Sequence, residues 1–173
     1  MKQTILMAII LVVVVVAIVA YFGLGTVFAS QVVKAGDNIS VFYTGSFTNG
    51  TVFNTNVGGS PFNFTAGANE VILGFDQAVI GMKLGQNKTV TIPVAEAYGP
   101  VNPALIVSVP LSELGNNTVK VGMIFTRTTT NGQRIDGFVT AINGTNATLN
   151  FNPQLAGKTL VFNIKVVAIQ NSR

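Results

Sequence analysis

The sequence contains no cysteine, no histidine and no tryptophan, and only 9% of its 173 residues are charged. Without cysteine, disulfide bonds and thiol nucleophiles are excluded. Without histidine, so are Ser-His-Asp hydrolysis and histidine-based metal sites. The six acidic residues are scattered, and no two have the spacing of a carboxylate pair for catalysis. We therefore expect a protein that acts with no metal and no cofactor.

Basic residues are in modest excess, giving a net charge of +4 and a pI of about 9.6. Beyond Lys2 they are spread from Lys34 to Arg173 without forming a cluster. A sparse excess of this kind is typical of a solvated surface and not of a phosphate-binding patch. We therefore predict no nucleic-acid partner.

Charge is absent altogether from Gln3 to Val33, and residues 5–20 are almost entirely aliphatic. About 20 apolar residues suffice for a helix that spans the hydrocarbon core, so residues 4–26 are predicted to anchor the protein in the cell membrane. Lys2 places the N-terminus in the cytoplasm and the remainder outside by the positive-inside rule. A signal peptide cleaved before Ser30 is the alternative, since Val27-Phe28-Ala29 resembles a peptidase site.

Asn-X-Ser/Thr sequons support an extracytoplasmic position for the remainder of the chain. Combined with the few charges and the lack of cysteine, they indicate an archaeal cell-surface protein. The seven sequons begin at Asn38, Asn49, Asn63, Asn87, Asn116, Asn143 and Asn146.

Hydrophobic periodicity after residue 36 predicts strands and one short helix. Ile39, Val41 and Tyr43 alternate as in a half-buried strand, and residues 49–50 are Asn-Gly, a hairpin-turn dipeptide. Val71, Phe75 and Val79 recur at four-residue spacing, which predicts one apolar face of a helix. We expect an α+β fold in which a curved antiparallel sheet wraps on one short helix.

Five motifs occur in a fixed order along this region. They are VFYTG from Val41, NGTVFN from Asn49, PFNFTAG from Pro61, VILGFDQAVIGMKLG from Val71 and VTIPVAEAYG from Val90. In this order they resemble the core of the FKBP-type peptidyl-prolyl cis-trans isomerases. The segments VGMIF at 121–125 and NFNPQLAGKTLVFNIKVVAI at 150–169 are similar to the SlyD-like branch, whose members carry an inserted flap domain.

The resemblance implies a division of the chain into an isomerase domain at 34–103 and 153–170 and an inserted flap domain at 104–152. Alternation of apolar residues predicts four strands in the insert, which makes it a small all-β domain. The predicted strands are Ile106–Val109, Val119–Thr129, Ile135–Ile142 and Ala147–Phe151.

The resemblance also implies a proline-binding pocket with no metal ligand in it. Catalytic positions match Tyr43, Phe53, Asn54, Ile72 and Tyr98, and substrate-binding positions match Phe62, Val71, Phe75 and Phe162. In this pattern Phe75 is the floor, the Ile72 N–H anchors a substrate carbonyl, and the Tyr98 hydroxyl donates a second hydrogen bond. Phe64 matches no pocket position and is predicted to lie in the core.

Two of these positions depart from the family pattern. The residue after the phenylalanine of the GTVF motif is usually aspartate, and here it is Asn54. Asparagine keeps an acceptor oxygen but loses the negative charge, which bears on catalytic efficiency. The floor residue is Phe75, where many relatives carry tryptophan.

The predicted function is that of a peptidyl-prolyl isomerase and folding chaperone acting on exported or cell-surface proteins. Its partners are proline-containing peptides and unfolded clients, which in SlyD-like proteins bind to the flap domain. The candidate client-binding residues are Ile106, Met123, Phe125 and Phe138. The alternatives are a catalytically weak binding module used in surface assembly or adhesion, and a structural envelope protein with no dependence on proline.

Overall fold

The computed structural model describes residues 31–115, 118–128 and 131–171, and those from Val32 onward form one compact unit. Its strands pair antiparallel in two sheets. In chain order, the strands and the α-helix are β1 Asn38–Phe47, β2 Val52–Thr55, β3 Phe62–Thr65, α1 Leu73–Val79, β4 Asn87–Ile92, β5 Ile106–Pro110, β6 Ile124–Thr128, β7 Arg134–Asn143, β8 Asn146–Asn150 and β9 Leu160–Gln170. Short 3₁₀ helices lie at Val94–Glu96, Pro103–Leu105 and Leu111–Leu114.

The main sheet has the order β2-β1-β9-β4, and β3 also pairs with β1. The last strand, β9, lies in the interior of the sheet between β1 and β4. Strands β2 and β3 share the outer edge of β1, since β2 pairs with residues 44–46 and β3 with residues 38–41. The Asn-Gly dipeptide makes the predicted turn between β1 and β2, where Gly50 has φ +86°.

Helix α1 packs very closely against β4. A Cβ built on Gly74 would lie 2.5 Å from Cγ2 of the buried Ile92, so any side chain at this position would push the helix away from the sheet. At the other end, the Lys88 ammonium donates a hydrogen bond to the Ala78 carbonyl at 3.0 Å. Such a bond satisfies a carbonyl that the helix leaves without an internal partner. These contacts hold the helix and its Phe75 at a fixed position over the sheet.

The main core lies between α1 and one face of the main sheet. Phe64 belongs to it, as predicted, with 3% of its surface exposed. Its buried members are Val33, Ile39, Val41, Phe64, Ala66, Phe75, Ala78, Val79, Met82, Ile92, Leu160, Phe162, Ile164, Val166 and Ile169. The predicted antiparallel sheet with one short helix is therefore confirmed for the described residues.

The second sheet, with the order β5-β8-β7-β6, has a smaller core of its own. Val139, Ala147 and Leu149 are its buried residues. The sequence predicted a strand over Val119–Thr129, but β6 begins only at Ile124. The prediction was wrong because Gly122 adopts φ +90° and the Met123 N–H bonds back to the Lys120 carbonyl at 3.1 Å, which makes a turn.

The other face of the second sheet carries a row of larger side chains. Directly opposed residues in an antiparallel sheet point to the same face. Phe138 of β7 is opposite both Ile124 of β6 and Asn150 of β8, and Asn150 is opposite Ile106 of β5. Ile124 is 57% exposed and Ile106 40% exposed. Throughout, this set of four residues is called the outer row.

Two connections that link the sheets are joined by Asn152, which is buried. Its Oδ1 accepts from the Asn102 N–H at 2.8 Å, and its Nδ2 donates to the Asn102 carbonyl at 3.0 Å and to Asn150 Oδ1 at 2.8 Å. The chain therefore leaves the main sheet and returns to it through one hydrogen-bonded junction. The independence of residues 104–152 as a domain stays a prediction.

The predicted anchor at 4–26, the alternative cleavage site before Ser30 and the sequon at Asn116 lie outside the described residues. Among residues 31–115, 118–128 and 131–171, no helix is long and apolar enough to cross a membrane.

Candidate functional site

A cleft of about 680 Å³ opens on the main sheet between β1, β2, the N-terminal end of α1 and the loop after β4. All nine residues predicted to catalyse or to bind substrate line it. The complete lining is Tyr43, Phe53, Asn54, Phe62, Glu70, Val71, Ile72, Phe75, Tyr98, Gln154, Leu155 and Phe162. The structure thus brings the predicted positions together, while their individual roles stay predictions.

Aromatic rings in edge-to-face contact form the base of the cleft. The Phe75 ring meets the Phe162 ring at a centroid distance of 5.2 Å and an angle of 85°, and the Tyr43 ring at 5.8 Å and 83°. The Phe53 ring also meets the Phe162 ring, at a centroid distance of 5.8 Å and an angle of 83°. Such pairs contribute stability beyond the area they bury. The rings therefore hold their positions before any ligand enters.

Gly45 of β1 makes this ring arrangement sterically feasible. A Cβ at this position would lie 2.7 Å from Cζ of Phe53 and 2.8 Å from Cε1 of Phe162. The two rings rest where a side chain would otherwise project from the strand. The motif VFYTG thus contributes two features of the cleft. Tyr43 forms part of one wall, and Gly45 leaves room for the rings of Phe53 and Phe162.

The Tyr43 hydroxyl is oriented by the residue that departs from the family pattern. It donates a hydrogen bond to Asn54 Oδ1 at 2.7 Å. The pairing arises because Gly45 of β1 is opposite Asn54 of β2, which places Asn54 diagonally across from Tyr43 on the same face. A neutral amide oxygen thus orients this hydroxyl without adding a charge to the cleft.

Asn56 extends the strand pairing past the end of β2. Its Oδ1 accepts from the Tyr43 N–H at 2.7 Å, and its Nδ2 donates to the Val41 carbonyl at 3.0 Å. A side chain thus replaces the backbone partner that β1 would otherwise lose here. Sequence reasoning missed this residue, although asparagine is the type that substitutes for backbone partners in this way.

The loop that leads into α1 is held from below by Asp76, which is 3% exposed. Its carboxylate accepts from the Gly67 N–H at 2.7 Å and from the Asn69 N–H at 3.0 Å. Asn69 has a positive φ of 57°, which asparagine tolerates better than most residues. This network positions Glu70, Val71 and Ile72 at the cleft. The sequence did hold an indication of this role, because Asp76 is an acidic residue next to Phe75 on a short apolar helix. A carboxylate buried in such a place requires hydrogen-bond partners.

Three further residues of the cleft were not predicted. Glu70 supplies the only carboxylate among the lining residues, and Gln154 and Leu155 come from the connection before β9. Glu70 directly precedes the predicted Val71 and Ile72, and this adjacency is what indicated in the sequence that Glu70 would lie at the cleft. Gln154 and Leu155 had none, because a connection brings residues to a site through the path of the whole chain.

The two residues predicted to supply hydrogen-bond donors, Ile72 and Tyr98, both line the cleft. Tyr98 is 45% exposed and follows the 3₁₀ helix Val94–Glu96, whose turn is closed by a hydrogen bond from the Gly99 N–H to the Val94 carbonyl at 3.0 Å. Ile72 is the N-cap of α1, and its carbonyl accepts from the Phe75 and Asp76 N–H groups. The N–H groups at a helix start have no partner within the helix.

The candidate client-binding residues have different environments. Phe125 packs against the core of the second sheet, whereas Ile106 and Met123 are about 40% exposed. Phe138 is half-buried and lines a second cleft, of about 600 Å³, between the two sheets. In the part of the chain that the structure describes, no group of three or more acidic residues is placed to hold a metal ion.

Comparison with known proteins gives one matching family. A family model described as FKBP-type peptidyl-prolyl cis-trans isomerase matches residues 29–167. The chain is 43% identical over 96 residues to FK506-binding protein 4 of Gibberella zeae, covering 51% of this chain. It is 29% identical over 119 residues to the FKBP-type peptidyl-prolyl cis-trans isomerase SlyD of Helicobacter pylori, covering 69% of this chain. It is 37% identical over 112 residues to the short-type peptidyl-prolyl cis-trans isomerase of Methanocaldococcus jannaschii, covering 64% of this chain.

The shares of those relatives that the chain spans differ greatly. It covers only 19% of the fungal protein's length, 64% of the Helicobacter protein and 68% of the Methanocaldococcus protein. The fungal match therefore concerns one part of a much longer protein, whereas the other two extend over most of theirs.

Proposed function

The chain belongs to the family of FKBP-type peptidyl-prolyl cis-trans isomerases, and on that premise we propose that its aromatic cleft binds Xaa-Pro bonds and catalyses their isomerisation. The strongest support for this proposal is the aromatic base of the cleft. Phe75, 4% exposed, forms an apolar base with Phe162 and Tyr43 standing edge-on to it. That arrangement suits the compact, apolar pyrrolidine ring of proline.

Isomerisation of an Xaa-Pro bond requires little more than such an apolar surface. Rotation about an amide bond has a barrier of roughly 18–20 kcal/mol, because twisting removes resonance between nitrogen and carbonyl. For Xaa-Pro the cis and trans forms differ by only about 0.5–1 kcal/mol, so a catalyst needs to lower the barrier alone. A cleft that excludes water favours the twisted amide, whose carbonyl is less polarised than that of the planar form.

The residues of this chain divide that work. Phe75, Phe162 and Phe53 receive the ring and exclude water. The Ile72 N–H and the Tyr98 hydroxyl hold substrate carbonyls. Asn54 orients the Tyr43 hydroxyl.

A direct assay on residues 31–173 tests this function. We expect the fragment to accelerate cis–trans exchange in an Ala-Xaa-Pro-Phe peptide, measured by exchange NMR. The rate should change little between pH 5.5 and pH 8, because the chain has no histidine or cysteine and these are the side chains that ordinarily titrate near that range. Absence of acceleration with retained peptide binding would favour the binding module. A steep pH profile would contradict the mechanism.

Substitution of Asn54 tests whether its hydrogen bond with the Tyr43 hydroxyl contributes to catalysis. Asn54→Ala removes the acceptor of the Tyr43 hydroxyl, and we expect kcat/KM to fall by a few-fold, since a neutral hydrogen bond contributes about 0.5–1.5 kcal/mol. Asn54→Asp keeps the acceptor and makes it charged, which strengthens the bond, so kcat/KM should rise above that of the natural chain. Val57→Ala, at a nearby position that is 63% exposed and lies outside the cleft, is the control. Equal rates for all four proteins would show that Tyr43 needs no orientation.

The finer part of the proposal concerns clients and location. We propose that the second sheet binds unfolded chains, so that the protein assists folding of exported or cell-surface proteins. Support comes from the exposed Ile106 and Ile124 of that sheet, from the exposed Met123 directly before β6 and from the likeness to a SlyD protein. We also propose that residues 4–26 are a membrane anchor, supported by the uncharged run from Gln3 to Val33. An archaeal origin completes the proposal, supported by the seven sequons together with the few charges and the lack of cysteine.

Fractionation of cells tests the anchor. The full chain should remain in washed membranes, and protease added to intact cells should remove the folded part. Residues 31–173 expressed alone should be found in the soluble fraction and serve as the control. A mature protein that begins at Ser30 would show instead that the segment is a cleaved signal.

A further inference from the structure

The second cleft, which Phe138 lines, opens beside the aromatic cleft of the main sheet and shares a wall with it. The aromatic cleft is called the prolyl cleft from here on. Phe53, Gln154 and Leu155 line both. Its own residues come from the end of β1, the junction around Asn152 and strand β7. They are Phe47, Val101, Phe138, Asn150, Asn152, Pro153, Ala156, Gly157 and Lys158. A chain bound in the first cleft can therefore continue into the second without leaving the protein surface.

The chemistry of the second cleft favours an apolar side chain. Phe47, Phe138 and Val101 contribute rings and an aliphatic group. The buried polar group, Asn152, already uses its amide in bonds to Asn102 and Asn150. Both Nδ2 hydrogens of Asn152, the buried polar side chain of this cleft, are therefore already used. Of the other polar lining residues, Gln154 and Lys158 are exposed to water and Asn150 Oδ1 already accepts from Asn152.

Distances between rings fix how far apart the two clefts lie. The centroid of Phe53 is 5.8 Å from that of Phe162 in the prolyl cleft and 5.1 Å from that of Phe47 in the second cleft. Phe162 and Phe47 are thus at most about 11 Å apart. An extended chain advances about 3.3 Å per residue, so about three residues reach from one cleft to the other.

We propose that the second cleft is a subsite for a large apolar side chain of the substrate, two to four residues from the isomerised proline. The inference rests on the proposed prolyl isomerase function and adds a sequence preference to it. The volume of about 600 Å³ lies within the range of about 300–1,000 Å³ that is usual for binding clefts. Phe138 of the outer row provides the wall from the second sheet.

A peptide series tests the spacing. Each peptide contains one Ala-Pro bond in a Gly/Ser background and one phenylalanine, placed three or eight residues from the proline on either side. We expect kcat/KM, from exchange NMR, to be about tenfold higher for the three-residue spacing on one side, as partial burial of a phenylalanine allows. Dissociation constants measured on the same peptides should follow the same order, and they test the subsite even without turnover.

Two variants localise the effect. Phe138→Ala should abolish the advantage of the three-residue spacing, and Val101→Glu should do the same by placing a charge in the cleft at a position 44% exposed, where folding tolerates it. Val121→Ala is the matched control, because Val121 is an exposed apolar residue of the same region, 62% exposed, that lines neither cleft. It should keep the advantage.

The outcomes separate the two proposals. No dependence on spacing, or an equal loss in Val121→Ala, would overturn the subsite. Failure to isomerise even a tetrapeptide would overturn the isomerase function, whereas tighter binding of the correctly spaced peptide, sensitive to Phe138, would still support the subsite.

Discussion

Replacing Phe75 by alanine is expected to lower the free energy of unfolding by about 3–5 kcal/mol, as for other buried phenylalanines. The ring is 4% exposed and contacts Tyr43, Phe64 and Phe162, so its loss leaves a cavity at the centre of the main core. Chemical denaturation of residues 31–173 measures this change. Leu84→Ala, at a position 46% exposed, is the control and should change stability little.

The role of the same ring in catalysis needs a variant that stays folded. Phe75→Leu keeps an apolar side chain and should cost under about 1.5 kcal/mol of stability if the core repacks around it. It removes the flat surface on which the proline ring rests, so kcat/KM should fall by more than tenfold. Phe75→Trp, the residue of many relatives, should retain activity. Full activity in Phe75→Leu would show that the cleft requires apolar volume and not an aromatic plane.

The second large effect is expected on removal of the second sheet. Replacing residues 104–152 by a short glycine-containing linker should leave isomerisation of a short peptide intact, because all twelve residues of the prolyl cleft lie outside that segment. The two sheets have separate cores. In the intact chain Asn102 and Asn152 are directly hydrogen-bonded, so the neighbouring cut ends, Pro103 and Pro153, lie close enough for a short linker.

Catalysed refolding of a whole protein should respond differently to the same deletion. A docking surface raises the local concentration of the reacting bond near the cleft, and its removal should lower refolding catalysis by one to two orders of magnitude. The measurement is the rate of a proline-limited refolding step with and without the second sheet. Equal proportional losses in the peptide and refolding assays would contradict a client-binding role for this sheet.

Local pattern was enough to predict most of the fold and the aromatic residues of the cleft. Asn49-Gly50 gave a correct turn, and the four-residue recurrence of Val71, Phe75 and Val79 gave a correct helix, although α1 itself spans only Leu73–Val79. Resemblance to a family then assigned nine positions that the structure places in one cleft. These features are local in sequence or fixed by motif.

Features that depend on the path of the chain were not predictable in this way. Leu155 reaches the cleft because the return connection passes beside Phe53, and no local signal marks it. The start of β6 was misplaced because Val119 and Val121 continue an apolar pattern through a turn that Gly122 makes. Asp76 had a local signal as an acid on a short apolar helix, but its partners are the backbone N–H groups of Gly67 and Asn69, which the sequence alone does not bring beside it.

The interior position of β9 sets an order of events during synthesis. This strand pairs with β1 over Asn38–Phe47 and with β4, and it contributes Phe162 to the cleft. More than a hundred residues separate β1 from its partner in the chain, so the main sheet cannot close until residue 170 has left the ribosome. Strands β6, β7 and β8 follow one another and pair in sequence. A nascent chain stalled before β9 would therefore display these three strands while still lacking a prolyl cleft.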